Sequence, residues 1–266
     1  MRTEILSRRV VVLSPHLDDA ILSCGGLLSA LSGKCAIEVW TVFTEAPSLG
    51  PYSPLAKWLH QASGGISGSR LFKKRRQEDR NACEFLSVKH RHFGWHDAAY
   101  RKRWWKGFLY SSGRNLVWHR ADTPLIARIT TQLQTLLDAD DLLFIPLGVG
   151  KHIDHLIARE AADNTHHPKV CYYADVPYTQ LFATDIEEFA AGMELILEKV
   201  SQKDVSNWVE AARRYTSQIP MLEIAVGPIE QVIEREARGG AVRFYLPRQW
   251  PGHRTLISDR LTTRAK

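Results

Sequence analysis

Short apolar runs alternate with segments of helical pattern along most of this chain of 266 residues. Strands are predicted near 8–14, 35–43, 89–94, 141–146 and 169–174, and helices near 19–32, 68–87, 124–138 and 153–163. Strands that alternate with helices form βαβ units, so the pattern predicts an α/β fold with a mostly parallel sheet flanked by helices. Right-handed crossovers place the carboxyl ends of these strands at one edge of the sheet.

The pattern changes after residue 183. Helices are predicted near 184–199, 202–217 and 228–238, followed by a strand at 241–246. We therefore expect a single domain over 1–266, with a Rossmann-like core over about 8–220 and a helical C-terminal extension over about 221–266.

A histidine and two carboxylates follow the first predicted strand. The β-branched run at 9–13 leads into His16, Asp18 and Asp19, and an apolar helical segment begins directly after them. An imidazole and a carboxylate suit a divalent metal, and open α/β sheets bind their ligands at the carboxyl ends of strands. The alternative is an ordinary helix cap, since an Asp at a helix start accepts an orphan backbone N–H. A cap accounts for one acid and leaves His16 unexplained.

A second polar cluster follows the predicted strand at 141–146. After a glycine-bearing turn, His152, Asp154 and His155 begin another helical segment. Positions three apart on a helix share a face, so the two histidines can point the same way. Taken alone, solvated histidines at a helix start are the simpler interpretation. Beside the first cluster, the pattern predicts a three-ligand site made of His16, Asp19 and one of these histidines, with the open position typical of catalytic zinc.

The two clusters resemble the motifs of the PIG-L/LmbE-like family of zinc-dependent de-N-acetylases. The family's His-Pro-Asp-Asp core corresponds to residues 16–19, and its His-x-Asp-His motif to residues 152–155. Leu17 replaces the usual Pro, and Ala20 replaces a frequent acid or hydroxyl residue, but neither change removes a ligand. Weaker matches extend the resemblance from about residue 8 to about residue 220. They lie at 75–79, 95–97, 146–150, 173–178 and 215–218.

The resemblance implies a metal-dependent amidase. His16, Asp19 and His155 are the implied metal ligands. Zn²⁺ is the implied cofactor, although Fe²⁺, Co²⁺ or Mn²⁺ also suit a site of nitrogen and oxygen donors. Asp18 is the implied general base, which would return its proton to the leaving amine.

Four further residues are given roles by the same resemblance. His152 would stabilise the oxyanion of the reaction as an imidazolium, and Asp154 would hold its charge and orientation. Arg75 and Asp97 would grip the hydroxyl groups of the sugar.

The implied function is hydrolytic removal of the acetyl group from an N-acetylated amino sugar of the N-acetylglucosamine type. The sugar would be free or carried by a nucleotide, a lipid or a natural-product intermediate. One alternative is an amidase of the same family that cuts a larger acyl group or a thiol-sugar conjugate. Another is a non-catalytic carbohydrate-binding protein, which the intact set of His16, Asp18, Asp19 and His155 argues against.

Composition is ordinary for a globular protein, with 44% hydrophobic and 24% charged residues. No apolar run suits a transmembrane helix or a signal peptide, and the four cysteines have no C-x-x-C spacing. We therefore expect a cytoplasmic protein with reduced, mostly buried thiols and no transmembrane segment. Its expected partner is a small N-acetyl amino sugar or a conjugate, and the chain is compatible with a homo-oligomer.

The net charge of +6 modestly favours an anionic partner. Basic residues cluster at 73–76, 101–106 and 248–266, and two tryptophans lie in the second cluster. Because no nucleic-acid fold signature accompanies them, we expect no nucleic-acid binding. We predict a solvated helix face at 73–76 and a mobile lid or subunit contact at 98–120. A nucleotide-linked or phosphate-linked sugar is the more plausible anion, and Trp beside Arg also suits carbohydrate stacking or a lipid-linked substrate.

Two further expectations concern backbone shape. The stretch 44–67 is rich in Pro, Gly and Ser and is predicted to be a long loop bordering the site. Gly25 and Gly26 do not form a dinucleotide fingerprint and are expected to let the first helix pack closely on the sheet.

Overall fold

A seven-stranded sheet forms the centre of the computed structural model, which describes residues 8–103, 107–110 and 119–248. The strands in chain order are β1 (Val10–Ser14), β2 (Ile37–Glu45), β3 (Lys89–His96), β4 (Lys102–Arg103), β5 (Gly107–Phe108), β6 (Leu142–Pro146), β7 (Val170–Tyr173), β8 (Met193–Lys199) and β9 (Ala241–Pro247). The sheet order is β3-β2-β1-β6-β7-β9-β8, while β4 and β5 form a separate hairpin. The first five strands in that order run parallel, and β9 pairs antiparallel with both β7 and β8. The predicted α/β fold is confirmed.

Helices cover both faces of this sheet. They are α1 (Asp19–Leu31), α2 (Pro54–Ala62), α3 (Gly68–Phe85), α4 (Thr123–Leu136), α5 (Ile153–Asp163), α6 (Tyr178–Leu181), α7 (Ala183–Phe189), α8 (Gln202–Ala212), α9 (Ile219–Val226) and α10 (Ile229–Glu236). Val10 and Val12 pack in one apolar core with α1, α8 and α10, whereas Val11 and Leu13 pack in another with α4 and α5. Because β1 is covered on both faces, its sequence is a continuous apolar run. Among the described residues, no helix has the length and apolar character needed to cross a membrane.

The predicted helix at 184–199 is wrong in its second half. Helix α7 ends at Phe189, and residues from Met193 form strand β8. Gly192 adopts a φ of +79°, which interrupts helical geometry. Pairing with β9 over the whole length of β8 then satisfies its backbone groups, so tertiary context overrides the local pattern.

Three helices were not expected, namely α2, α9 and the single turn α6. Helix α2 lies inside the predicted loop at 44–67, where Ser53 caps it by accepting from the backbone N–H of Ala56 at 2.9 Å. Pro54 occupies its first turn, where a missing N–H costs nothing. Helix α9 follows the predicted helix at 202–217, which in the structure ends at Ala212.

The glycine pair in α1 serves helix packing. A Cβ atom at Gly25 would lie 2.2 Å from Cδ1 of Trp208, and one at Gly26 would lie 3.0 Å from Cε3 of the same ring. Trp208 belongs to α8 and is fully buried. The close approach is therefore between α1 and α8, not between helix and sheet as predicted.

The basic segments differ from expectation as well. Lys73 and Lys74 are exposed, but Arg75 is buried, so 73–76 is not simply a solvated face. Residues 98–101 are buried within the chain, so this part of 98–120 does not present the exposed surface expected of a lid or subunit contact. Residues 104–106, 111–118 and 249–266 lie outside the described residues, and the two tryptophans of the second basic cluster are among them. Three of the four cysteines are buried as free thiols, and Cys35 is partly buried.

Candidate active site

Three neighbouring strands bring the two predicted clusters together. The sheet order places β1 beside β6 and β6 beside β7, and all three run parallel. Their carboxyl ends therefore meet at one edge. His16, Asp18 and Asp19 follow β1, and His152 and its neighbours follow β6.

Asp19 lies close to both histidines of the predicted ligand set. Oδ2 of Asp19 lies 3.1 Å from Nδ1 of His16 and 3.2 Å from Nε2 of His155. Donors about 2.0–2.1 Å from a tetrahedral zinc are roughly 3.3–3.4 Å apart, so this spacing fits a shared ion. Nε2 of His155 is buried, and its 3.2 Å contact with Asp19 lacks the geometry of a hydrogen bond. Since a buried polar atom without a hydrogen bond is costly, a metal ion is a fitting occupant.

The geometry also brings other donor sets close. Donor atoms of His16, His152 and His155 lie within 4.8 Å of one another, as do those of His16, Asp97 and Asp154. The first set makes His152 an alternative third ligand. The residue pattern had likewise left open which of His152 and His155 completes the site.

Charge at the site favours a cation. Two buried guanidinium groups, those of Arg75 and Arg101, face a larger set of buried carboxyl groups. These are Asp18, Asp19, Asp97, Asp154 and Asp175. Buried charges without compensation are costly, so the excess of negative charge favours a divalent cation among these side chains.

The pKa values of the predicted ligand side chains reflect this charge. Burial lowers the pKa of His16, but hydrogen bonds to Asp154 and Asp19 outweigh it and raise that pKa well above its usual value. Burial is likewise outweighed at His155, where Asp19 and Asp175 raise the pKa to about 9. Burial would raise the pKa of Asp19, yet His155 and His16 hold it well below its usual range. The surroundings therefore stabilise positive charge where the donors meet.

Asp175 orients His155. Its Oδ1 lies 2.6 Å from Nδ1 of that ring, and its Oδ2 accepts backbone N–H bonds from Gly148 and Val149 at 2.7 and 2.9 Å. A metal-ligating histidine commonly bonds a carboxylate through its second nitrogen. Asp175 was not predicted as a site residue. Its position just after the strand end of β7 was the available signal.

Asp154 is fully buried and contacts His16 rather than His152 through its carboxylate. Its Oδ2 lies 3.0 Å from Nε2 of His16 and accepts the backbone N–H of Ala98 at 2.9 Å. Nη1 of Arg101 donates to its Oδ1 at 2.5 Å. Although burial would raise it, the pKa of Asp154 is lowered by Arg101 and His16. The orienting role implied for Asp154 toward His152 therefore does not match the contacts of its carboxylate.

Arg101 is in turn held by a buried acid. Its Nε donates to Oδ2 of Asp122 at 3.0 Å, and the Tyr110 hydroxyl donates to the same oxygen at 2.6 Å. From the sequence, Arg101 was assigned to a basic cluster within a predicted mobile lid or subunit contact. No local pattern marks it as a partner of Asp154.

His152 caps helix α5 and reaches the cavity. Its Nδ1 accepts the backbone N–H of Asp154 at 3.2 Å. Burial and the charge on His16 lower the pKa of His152 well below its usual value. A neutral ring whose Nδ1 is an acceptor carries its proton on Nε2. The structure thus favours a neutral donor here over the imidazolium that the resemblance implied.

Asp18 lies beside the donor cluster and makes no capping hydrogen bond to α1. Its Oδ1 is 3.5 Å from Nη2 of Arg75. Burial raises the pKa of Asp18 to about 6, an effect that Arg75 opposes and Asp19 strengthens. The helix-cap alternative is not supported for this residue, whose carboxylate lines the cavity instead.

The two predicted sugar-binding residues reach the same cavity. Arg75 is buried on α3, and its Nε has no hydrogen-bond partner among the described residues. Oδ1 of Asp97 accepts the backbone N–H of Ala99, and its Oδ2 lies 3.6 Å from Nε2 of His16. Burial and the charge of Asp154 raise the pKa of Asp97.

A cavity of about 390 Å³ connects these groups. It is lined by His16, Asp18, Asp19, Arg75, Asp97 and His152, together with apolar residues of α2, α6 and α9. A larger cavity of about 530 Å³ lies beside Arg101 and Asp122 but contains none of the predicted metal ligands. We therefore take the smaller cavity as the candidate active site.

Fold and site together describe an α/β protein with a His/Asp donor cluster at the carboxyl edge of its sheet. The sequence profile described as "PIG-L: GlcNAc-PI de-N-acetylase" matches residues 11–166. Because this match spans more than half of the chain, the protein belongs to the PIG-L family.

Two curated relatives are both named 2'-N-acetylparomamine deacetylase. The relative from Streptomyces fradiae is 30% identical over 193 residues, which cover 70% of this chain and 64% of the relative. The relative from Niallia circulans is 29% identical over 192 residues, which cover 65% of this chain and 68% of the relative. The chain thus spans less than two thirds of the length of the first relative.

Solved structures of deacetylases share the fold. The zinc-inhibited form of teicoplanin deacetylase Orf2 has a TM-score of 0.77 and 28% identity, with 90% of this chain and 97% of that chain covered. The A40926 pseudoaglycone deacetylase Dbv21 has a TM-score of 0.73 and 25% identity, with 92% and 99% covered. The similarity therefore extends through nearly the whole length of both structures.

Proposed function

We propose that this protein is a metal-dependent N-deacetylase that hydrolyses the acetyl amide of an N-acetylated amino sugar. The observation that carries the proposal is the convergence of His16, Asp19 and His155, with a buried nitrogen of His155 left without a hydrogen bond. Relatives named as deacetylases of N-acetylparomamine and of teicoplanin support the same reaction.

His16, Asp19 and His155 would hold the metal, with zinc as the first candidate. When bound, such an ion polarises a carbonyl group and lowers the pKa of water toward about 7. The carboxylates of Asp154 and Asp175 would keep the two histidine rings oriented toward it, since each hydrogen-bonds the outer nitrogen of one ring.

Asp18 would exchange the protons of the reaction. Its carboxylate lines the cavity and is not a member of the three-ligand set. It would accept a proton from the attacking water and return it to the nitrogen of the leaving amine as the C–N bond breaks. Arg75, whose Nη2 lies 3.5 Å from Oδ1 of Asp18, would hold this carboxylate in position beside the metal ligands.

His152 would stabilise the amide oxygen as it gains negative charge. The proton on Nε2 makes the neutral ring a donor, and a donor aimed at a developing oxyanion contributes most when it is fixed in advance. The N-cap hydrogen bond to Asp154 supplies that fixation. Arg75 and Asp97 would contact the sugar hydroxyls, which is the role implied by the family resemblance.

Purified protein analysed for metals and then incubated with a panel of N-acetyl amino sugars tests the proposal. We expect about one divalent metal per chain and loss of a single acetyl group, followed by mass spectrometry and acetate release. Asp18→Asn is the matched control, since it should keep the metal and lose turnover. Binding of N-acetyl sugars without any hydrolysis by the metal-loaded protein would instead support a carbohydrate-binding protein. Preference for a longer acyl group would support the other amidase class.

A further inference from the structure

Helix α6 is a single turn of four residues that brings an aromatic side chain to the candidate active site. Tyr178, its first residue, lines the cavity of the donor cluster. The centroid of its ring lies 5.3 Å from that of His155, in an edge-on contact, and 6.4 Å from that of His152. A Cβ atom at Gly150 would lie 2.6 Å from Cδ1 of Tyr178, so the ring also packs on the turn that leads to His152. The position of Tyr178 therefore limits how both histidine rings can move.

A turn of this length cannot hold its own position. Its backbone hydrogen bonds run from the N–H groups of Thr179, Gln180 and Phe182 to carbonyl groups within 175–178. Isolated helices shorter than about 12 residues are marginal in water, and most helical stability in proteins comes from tertiary packing. Contacts with another element must therefore fix α6 beside the two histidines.

Glu236 of α10 makes such contacts from a buried position. Its Oε1 accepts a hydrogen bond from Oγ1 of Thr179 at 2.6 Å and another from Nε2 of Gln180. The side-chain oxygen of Gln180 accepts in turn from Nε of Arg235 at 2.9 Å. The second carboxylate oxygen of Glu236 accepts from Nη2 of Arg243 on β9 at 2.8 Å. Hydrogen bonds to charged groups are the stronger ones, so one carboxylate ties α6 to both α10 and β9.

This carboxylate acts on the site from a distance. Glu236 is not one of the described residues that line the cavity, and both α6 and α10 lie beyond the matched residues 11–166. We infer that Glu236 is a positioning residue for the proposed deacetylase, on which this inference rests. Through Thr179 and Gln180 it keeps Tyr178 against the rings of His152 and His155. The C-terminal extension thus contributes to the geometry of the active site without touching the substrate.

Glu236→Ala removes the acceptor that both residues of α6 share. We expect kcat to fall by about 10- to 100-fold, since a small displacement of reacting groups has an effect of this size. KM for the sugar should change by less than about 3-fold, because Arg75 and Asp97, the proposed sugar contacts, belong to other elements. Metal content should stay the same, because all three proposed ligands remain. Glu236→Gln should recover most of kcat, since its amide oxygen can still accept from Thr179 and Gln180.

Two further variants separate this role from general loosening of α10. Glu230→Ala is the matched control on the same helix, because its carboxylate accepts from Arg213 and not from α6, and it should keep the parental kcat and KM. Thr179→Val breaks the contact from its other end and serves if Glu236→Ala does not fold. It should lower kcat by about 3- to 10-fold, as loss of one hydrogen bond to a charged group predicts. Parental kcat in Thr179→Val and Glu236→Ala, or an equal loss in Glu230→Ala, would overturn the inference.

Hydrogen exchange of the metal-free protein, followed by mass spectrometry, separates this inference from the proposed reaction. Glu236→Ala should speed amide exchange in a peptide that covers 175–182, and Glu230→Ala should not. If exchange rises there but the metal-loaded parent hydrolyses no N-acetyl sugar, the contact between Glu236 and α6 stands and the deacetylase proposal fails. If the parent is a deacetylase and Glu236→Ala changes neither kcat nor this exchange, the reaction stands and the positioning role fails.

Discussion

Oδ2 of Asp154 lies 3.0 Å from Nε2 of His16, which joins the second polar cluster of the sequence to the first. The other oxygen of this carboxylate accepts from Arg101, so the chain Arg101, Asp154, His16 is continuous and buried. A carboxylate on the outer nitrogen of a metal-ligating histidine fixes the ring and increases its basicity. In the proposed function, where His16 is a metal ligand, Asp154 would therefore support metal binding rather than a step on the substrate.

Asp154→Asn should weaken zinc binding by about 10- to 100-fold, the usual effect of losing such a partner. Competition with a chromogenic chelator measures the affinity, and thermal unfolding checks that the variant is folded. Asp163→Asn, at the far end of the same helix, is the control and should bind zinc like the parent. If Asp154→Asn keeps full zinc affinity but has reduced turnover, Asp154 would instead have the role implied by the family resemblance, which is to orient His152.

The three histidines of the site should differ in their effect on metal content. His16→Ala and His155→Ala should abolish stoichiometric zinc, because each removes a donor from a set of three. His152→Ala should retain zinc and lose about 10²- to 10³-fold in kcat, as loss of one oxyanion donor does. Elemental analysis and single-turnover rates of the same preparations give both quantities. Zinc loss in His152→Ala would make the three-histidine set the metal site.

Asp18→Asn removes a proton acceptor without changing the size of the side chain. Turnover should fall by about 10²- to 10⁴-fold, the usual contribution of general acid–base catalysis, with zinc content unchanged. Since Asp18 also faces Arg75, Arg75→Gln provides a comparison. That variant should affect KM for the sugar more than zinc content. A loss of zinc in Asp18→Asn would identify Asp18 as a ligand.

Both donor clusters could be predicted because each follows a strand that the sequence shows as an apolar run. The carboxyl ends of parallel strands lie at the same edge of a sheet, so the two clusters were expected to meet there. Asp175 obeys the same rule after β7 but stands alone in sequence, without a neighbouring histidine to mark it. Arg101 could not be found this way. Its contact with Asp154 depends on the burial of residues 98–101. A basic local sequence does not predict that burial. Strand β8 was missed because its pairing with β9 is a long-range interaction.

Gly25→Ala should destabilise the fold through the contact between α1 and α8. The new Cβ would lie 2.2 Å from Trp208, which is fully buried and cannot move aside without cost. Overpacking of this kind costs about 1–3 kcal/mol. Urea denaturation should show a lower unfolding free energy for Gly25→Ala than for Gly26→Ala, where the nearest contact would be 3.0 Å. Equal stabilities of the two variants would mean that α8 shifts freely to accommodate the methyl group.

Glu198 on β8 should make stability depend on pH, away from the active site. It is buried, and burial raises its pKa to about 7 from an unfolded value near 4.5. A folded pKa above the unfolded one means that stability is fully present below pH 4.5 and is lost as pH rises through about 7. Glu198→Gln removes the ionisation. Its unfolding free energy should match the parent near pH 4.5 and exceed it at pH 8 by up to about 3 kcal/mol, at about 1.4 kcal/mol per pKa unit. Glu187→Gln, at an exposed position, is the control and should show no such divergence. Parallel stability curves for Glu198→Gln and the parent from pH 4.5 to 8 would show that the carboxylate is solvated in the folded protein.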